Sequence, residues 1–328
     1  MTRVSESTAS RGLLANVARN RTEVNRISNE ISSGIKAAEP GDSPYAGTIE
    51  QFKESLQRIE GYQNTIKSVK ASLEFQDNVL SESNELLVRA KELAVQGANE
   101  TLTSSQRAQV AEEVFQIRDH LVSLANSTYQ GRYIFGGADD DDPPYDAATY
   151  TNPSTGAVSQ RYVFDAEDGT STTRSVNVTD SLSVTVNTPG DQIYDNAIQA
   201  MERLGRALSG YRTDPDPGTP DGSGTAFTFP QDYQEQTADI KSAMDLLDTA
   251  RSSDLGPEIT SVAGRLKRLD TAESLLNVGQ LSGSEVLSRL QSTDVASAAT
   301  QLSLAQTSLE AALTVSLRVL NQTILDYL

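Results

Sequence analysis

The stretch Gly12 to Gly34, GLLANVARNRTEVNRISNEISSG, carries the pattern on which the rest of the chain is organised. Leu13, Val17, Asn20, Val24, Ile27 and Ile31 recur at alternating steps of three and four, the spacing of a heptad seam along one helix. The helix is expected from about Ser5 to Ser33, with Thr8 or Ser10 capping its start and Gly34 as its stop. A breaker run, Pro40-Gly41-Asp42-Ser43-Pro44, follows.

Working outward, a second seam runs from Pro44, which suits a first-turn position, to about Gly97. It reads Ile49, Phe52, Leu56, Ile59, Ile66, Leu73, Leu80, Leu87, Ala90 and Ala94. At 1.5 Å per residue that helix would be about 80 Å long, and such length needs a partner alongside because propensity supports it only weakly. Asn99 to Leu102 is a turn, and Thr103-Ser104-Ser105-Gln106 is a capping box. It opens a helix through Val110, Val114, Ile117, Leu121 and Leu124 to about Tyr129. Helix returns with Ile193, Ile198, Met201, Leu204 and Leu208, again from Tyr233 to about Ala250, and again from Ile259 to Leu276. A last stretch, roughly Ser284 to Leu325, carries Val286, Leu290, Val295, Leu302, Leu309, Leu313, Leu317, Leu320 and Ile324. Asn20 and Ser316 are polar positions within the terminal seams, a device that fixes register and partner number in coiled coils.

The middle differs. Tyr162-Val163-Phe164 reads as a strand, and Val176, Val178, Leu182, Val184 and Val186 alternate with polar residues around an Asp180-Ser181 turn, a hairpin signature. The expected fold class is mainly α with a small β-rich subdomain: an elongated bundle of long heptad-patterned helices with its N- and C-terminal helices paired. The expected divisions are an assembly helix and turn (1–44), two bundle halves (45–137 and 193–283), a β-rich projecting subdomain (138–192) and a C-terminal assembly helix (284–328).

Composition narrows function. The chain has 328 residues, 37% of them hydrophobic, and no apolar run approaches the roughly 18 residues of a spanning helix, so no membrane role is expected. The start lacks the charged-then-apolar order of a Sec signal. A net charge of −18 repels phosphate backbones and argues against nucleic acid. Cysteine is absent and His120 is the sole histidine, which removes Cys–zinc sites, His pairs and Cys nucleophiles. No P-loop, G-x-S-x-G or dinucleotide fingerprint occurs, and no cofactor or enzymatic activity is expected. The run Asp139 to Asp142 supplies the oxygens a hard cation wants but lacks the alternation of a calcium loop, so it reads as a solvated loop. Asp165 and Glu167 are the carboxylate pair an enzyme in the middle would use, and their spacing is ordinary.

Several collinear segments resemble the flagellin superfamily and, within it, the hook-associated proteins of the hook–filament junction. They are the start Met1-Thr2-Arg3-Val4-Ser5, Ile31-Ser32-Ser33-Gly34 with the Pro40 to Pro44 turn, and Ala98-Asn99-Glu100-Thr101 followed by Arg107. They continue with Gly131-Arg132-Tyr133-Ile134-Phe135-Gly136-Gly137, Thr293-Asp294-Val295-Ala296 and the closing Leu325-Asp326-Tyr327-Leu328. Ser43 stands where the family turn has a second Asp, and the basic residue after Ser-Ser-Gly is displaced to Lys36.

The resemblance implies an extracellular structural adaptor of the bacterial flagellum, exported without a Sec signal by the flagellar type III apparatus. It implies self-association in a junction zone between hook-associated protein 1 and flagellin, with an export chaperone on the C-terminal region. It further implies terminal helices disordered in the monomer that form inter-subunit coiled coils on assembly. The seam residues expected to carry that assembly are Leu13, Val17, Val24, Ile27, Ile31, Val295, Leu302, Leu309, Leu313, Leu317 and Leu320. The competing readings are flagellin itself and a secreted coiled-coil adhesin or effector that binds through its β-rich middle.

Overall fold

The computed structural model describes residues 2–36, 45–137, 140–151, 158–164, 173–212 and 226–325. The helices are α1 (Thr2–Ser33), α2 (Ala46–Gly97), α3 (Ser104–Ala125), α4 (Asp191–Leu208), α5 (Tyr233–Thr249), α6 (Gly256–Gln291) and α7 (Val295–Leu325). The strands pair as three antiparallel two-stranded sheets: β1 (Thr128–Tyr129) with β2 (Arg132–Tyr133), β3 (Tyr145–Thr151) with β4 (Val158–Phe164), and β5 (Ser175–Asn177) with β6 (Ser183–Thr185). The chain divides into two compact units, one of Met1–Gly61 with Leu276–Leu328, the other of Tyr62–Leu275.

The second unit is built around α4, which packs against α3, α5 and the π turn Ala250–Leu255 that joins α5 to α6. Its apolar residues Ile193, Ile198, Met201, Leu204 and Leu208 are all buried, so the periodicity read from sequence is the core face. The α2 seam behaves in the same way: Ile66, Leu73, Leu80, Leu87, Ala90 and Ala94 are buried. Buried polar groups here are held by partners. Arg107 is fully buried, donates to the Gln236 side chain and to the Asn99 carbonyl at 3.2 Å, and lies 5.3 Å from the Tyr233 ring centroid. Gln236 in turn donates to the Ala207 carbonyl at 2.7 Å, so one arginine ties the α2–α3 turn to α4 and α5. Burial lowers the Arg107 pKa from its ordinary value. Arg118 pairs with Glu202, which also accepts from Arg206 at 2.8 Å.

The Gly131 to Gly137 segment anchors the β-rich middle. Gln130 and Gly131 both take positive φ (53° and 80°), which a two-residue hairpin turn requires. Phe135 is fully buried with its ring edge-on to Tyr194 at 5.1 Å, and its carbonyl accepts from the Gly190 amide at 2.8 Å. Asp140 is buried between Arg132 (2.7 Å) and Arg174 (2.9 Å). Burial alone would raise its pKa, and hydrogen bonds from the two guanidiniums outweigh that and hold it below the usual carboxylate range.

Several boundaries depart from the sequence reading. The solvated-loop reading of the aspartate run fails at Asp140 because Arg132 and Arg174 neutralise it; Asp141 and Asp142 are exposed, and Asp139 lies outside the described residues. Helix α1 begins at Thr2, so Thr8 and Ser10 are interior to it and do not stand at its start. Helix α3 stops at Ala125, not near Tyr129, because Asn126 exchanges two side-chain hydrogen bonds with the Tyr145 backbone (2.7 and 2.9 Å) and turns the chain into β1. The capping box at Thr103 and Gln106 forms as read. Residues 251–258, between the two expected helical stretches, are helical through the π turn; Pro257 has no N–H to continue the regular ladder there. The stretch from Ser284 is two helices, because the Asp294 carboxylate accepts from the Ala296 and Ser297 amides (3.0 and 3.2 Å) and starts a new one. The Pro40 to Pro44 turn and the Asp165 and Glu167 pair lie outside the described residues.

Two glycines of α2 make opposite predictions. A Cβ on Gly97 would lie 2.1 Å from a Leu208 methyl, whereas one on Gly61 meets nothing within 4 Å. Gly97→Ala should lower stability by about 1–3 kcal/mol through overpacking. Gly61→Ala should raise it by roughly 0.5–1 kcal/mol through helix propensity, both read from urea unfolding followed by circular dichroism.

Candidate assembly interface

Within the first unit α1 and α7 pack along one another as an antiparallel pair. Each presents the face its seam defines. Ile27 is buried and Leu13, Val17, Val24 and Ile31 are half-buried on α1. Facing them on α7, Ala298 and Ser316 are buried and Leu302, Ala305, Leu309 and Ala312 are half-buried. Alternation of alanine with leucine lets the backbones approach while the leucines fill the gap. Asn20 reaches across and donates to the Ser308 carbonyl at 3.3 Å, which pins the register of the pair. Ser316 instead satisfies itself on its own helix, donating to the Ala312 carbonyl at 2.7 Å.

One end of the pair is clasped. Helix α1 ends at Gly34 with φ +72°, and the chain beyond it forms an antiparallel bridge with the α6–α7 link. The Lys36 amide donates to the Gln291 carbonyl at 2.6 Å, and the Thr293 amide to the Gly34 carbonyl at 3.0 Å. Beside the bridge, buried Glu30 accepts from the Thr293 hydroxyl and from Arg26 at 3.1 Å. Arg26 also chelates Glu23, and that hydrogen bond is the main reason the Glu23 pKa lies below the usual carboxylate range.

Several large apolar residues of the pair are exposed, most of them on α7. Leu304 is 66% exposed, Leu317 61% and Leu14 62%, and Val295, Leu313 and Val315 are also exposed. Helix α7 contains two charged residues, Glu310 and Arg318, in 31 positions, in a chain that is 22% charged. A solvated helix normally carries charge on its outward face; here Leu304, Leu313, Val315 and Leu317 stand among exposed Ser, Thr, Gln and Ala residues, with Glu310 and Arg318 as the two charges.

The residues expected to form one assembly seam therefore separate into two sets. Leu13, Val17, Val24, Ile27, Ile31, Leu302 and Leu309 lie on the face where α1 and α7 meet within the chain, while Val295, Leu313 and Leu317 face outward. The side chain of Leu320 lies outside the described residues. The sequence reading missed Leu14, Leu304 and Val315, which fall off the heptad row; the low charge of α7 was the signal that could have found them. Other candidate groups stand apart from this surface. His120 is exposed on α3 with its Nε2 3.4 Å from a Glu82 carboxylate oxygen. Among the described residues no cluster of three or more potential ligands could hold a metal ion, and no helix is long and apolar enough to cross a membrane.

Residues 4–140 match the family model described as the bacterial flagellin N-terminal helical region. The chain is 31% identical to flagellar hook-associated protein 3 of Salmonella typhimurium over 140 residues, 42% of this chain and 44% of that one. It is 28% identical to flagellar hook-associated protein 3 of Escherichia coli over 184 residues, 55% of this chain and 53% of that one. The chain thus spans about half the length of the curated relatives it matches. In fold it is similar to a flagellar hook-associated protein of Vibrio parahaemolyticus, with a TM-score of 0.58 at 21% identity over 76% of this chain and all of that one. Over residues 4–140 the chain thus matches the bacterial flagellin N-terminal helical region, and it is similar in sequence over its matched part to flagellar hook-associated protein 3 and in fold to a hook-associated protein.

Proposed function

We propose that the chain is a structural adaptor of the bacterial flagellum, extracellular in place, which joins the hook-side junction zone to the flagellin filament through its paired terminal helices. The observation that carries this reading is the set of exposed apolar residues on the α1–α7 pair, above all Leu304, Leu313 and Leu317 on the nearly uncharged α7.

Energetics favour a neighbouring copy as what covers it. Complete burial of one exposed leucine contributes roughly 1.5–3 kcal/mol, and several such residues repeat along the helix. Copies of a chain with net charge −18 repel one another, so they meet most readily through surfaces with almost no charge. A contact between a chain's outward face and a different face of its neighbour is head-to-tail and propagates helically unless the next partner differs. An adaptor exploits that difference. In this reading one side of the ring meets hook-associated protein 1, the other meets flagellin, and an export chaperone holds the C-terminal region before secretion without a Sec signal. The terminal pair has one covered face, so its open end frays in the isolated chain and orders when a neighbour buries the rest. The chain's role is mechanical, with no catalysis.

Three outcomes are expected. Leu304→Asp and Leu317→Asp should each reduce incorporation at the hook tip by about tenfold or more with the circular dichroism spectrum of the monomer unchanged, since each places a charge in a covered apolar seam. Normal incorporation of both variants contradicts the proposal. Val24→Asp, on the inner face, should lose incorporation and helicity together. Glu30→Ala should loosen the clasp by about 1–3 kcal/mol, seen as faster amide exchange across α1 and α7 and unchanged exchange in α4. Unlimited filament growth by the purified chain would indicate flagellin itself.

A further inference from the structure

The second unit contains an open cleft of about 410 Å³ that the assembly reading does not use. That volume is in the range of small-molecule sites. One wall is α2, where Ser68 and Ser72 leave room that larger side chains would fill. The other is the β1–β2 hairpin with Tyr133, and the floor holds Arg132, Asp140 and Arg174.

The floor is rigid. Asp140 is buried and bridges both arginines, its carbonyl accepts from the Tyr133 amide at 2.8 Å, and the Arg174 amide is fixed on the Asn187 side chain at 2.5 Å. Both guanidiniums are more than half exposed. In the described contacts each donates one N–H to Asp140, and both arginines line the cleft with further N–H donors of their five-donor forks.

Charge balance selects the ligand. Two guanidiniums are matched by Asp140 and by Asp141, which acts on Arg132, within a chain of net charge −18. An anion gains little in such a field, and a cation finds its carboxylates already taken. What suits the cleft is a neutral molecule covered in groups that both donate and accept: hydroxyls that take guanidinium and serine hydrogen bonds, on a ring whose C–H face lies against tyrosine. We infer that this cleft at the base of the β-rich middle binds a neutral saccharide through Arg132, Arg174, Ser68, Ser72 and Tyr133. The site is independent of the terminal helices and adds a surface-recognition function to assembly.

The test is saturation-transfer NMR on the full-length protein with glucose, galactose and N-acetylglucosamine as neutral probes, and glucuronate and inorganic phosphate as anionic ones. At least one neutral sugar should show saturable transfer. Ser68→Trp, at an exposed α2 position, should fill the cleft and weaken that binding by about tenfold or more, with hook incorporation unchanged. Arg174→Gln should weaken it as well. Silence from all three neutral sugars, preference for glucuronate or phosphate, or intact binding in Ser68→Trp overturns the inference.

Discussion

Two helices packed side by side can hide one face each. That limit governs the terminal unit of this protein. Helices α1 and α7 use their heptad rows, Leu13 to Ile31 and Ala298 to Ser316, to cover one another. Nothing in the described residues covers Leu14, Leu304 or Leu317. Exposed leucines, with two charges in the 31 residues of α7, are the observation on which the proposed assembly surface rests. The clasp at Glu30, Thr293 and the bridge between Ile35 and Ser292 holds one end of the pair together.

The second unit follows a different principle. Its core is apolar, but each of its joints is centred on a buried charged group with assigned partners. Arg107 connects three elements through Asn99, Gln236 and the Tyr233 ring. Arg118, Glu202 and Arg206 form another joint, and Arg132, Asp140 and Arg174 a third. Removing the partners of the buried member of such a group leaves an uncompensated buried charge, which costs more than the pair contributes. The segments that carry the family resemblance, Asn99 to Arg107 and Gly131 to Gly137, are these joints and their turns. Their role is architectural: they aim the β-rich middle and lock the α2–α3 turn.

Where the chain repeats a period, it could be read directly. The α2 and α4 rows, the Thr103 capping box and the hairpin around Asp180 and Ser181 all lie where local pattern and tertiary packing agree. Errors arose where a side chain acted at long range. Asn126 ends α3 because of Tyr145, nineteen residues on, and Asp140 is neutralised by Arg174, thirty-four residues on. The assembly surface was half legible. Heptad counting finds the row that pairs together with outward Val295, Leu313 and Leu317, whereas Leu14, Leu304 and Val315 lie off the heptad and stand out once the inner face is taken by the chain's own partner helix.

The central claim is that the outward face of α7 meets a neighbouring copy. The chain contains no cysteine, so Leu304→Cys introduces a single addressable site. The measurement is crosslinking of that variant with a short bismaleimide, in dilute monomer and after assembly at the hook tip. The account predicts covalent dimers in the assembled sample and none in the monomer. Assembly that proceeds with no crosslinked dimer, or with Leu304→Cys still freely labelled by a small maleimide, would contradict it.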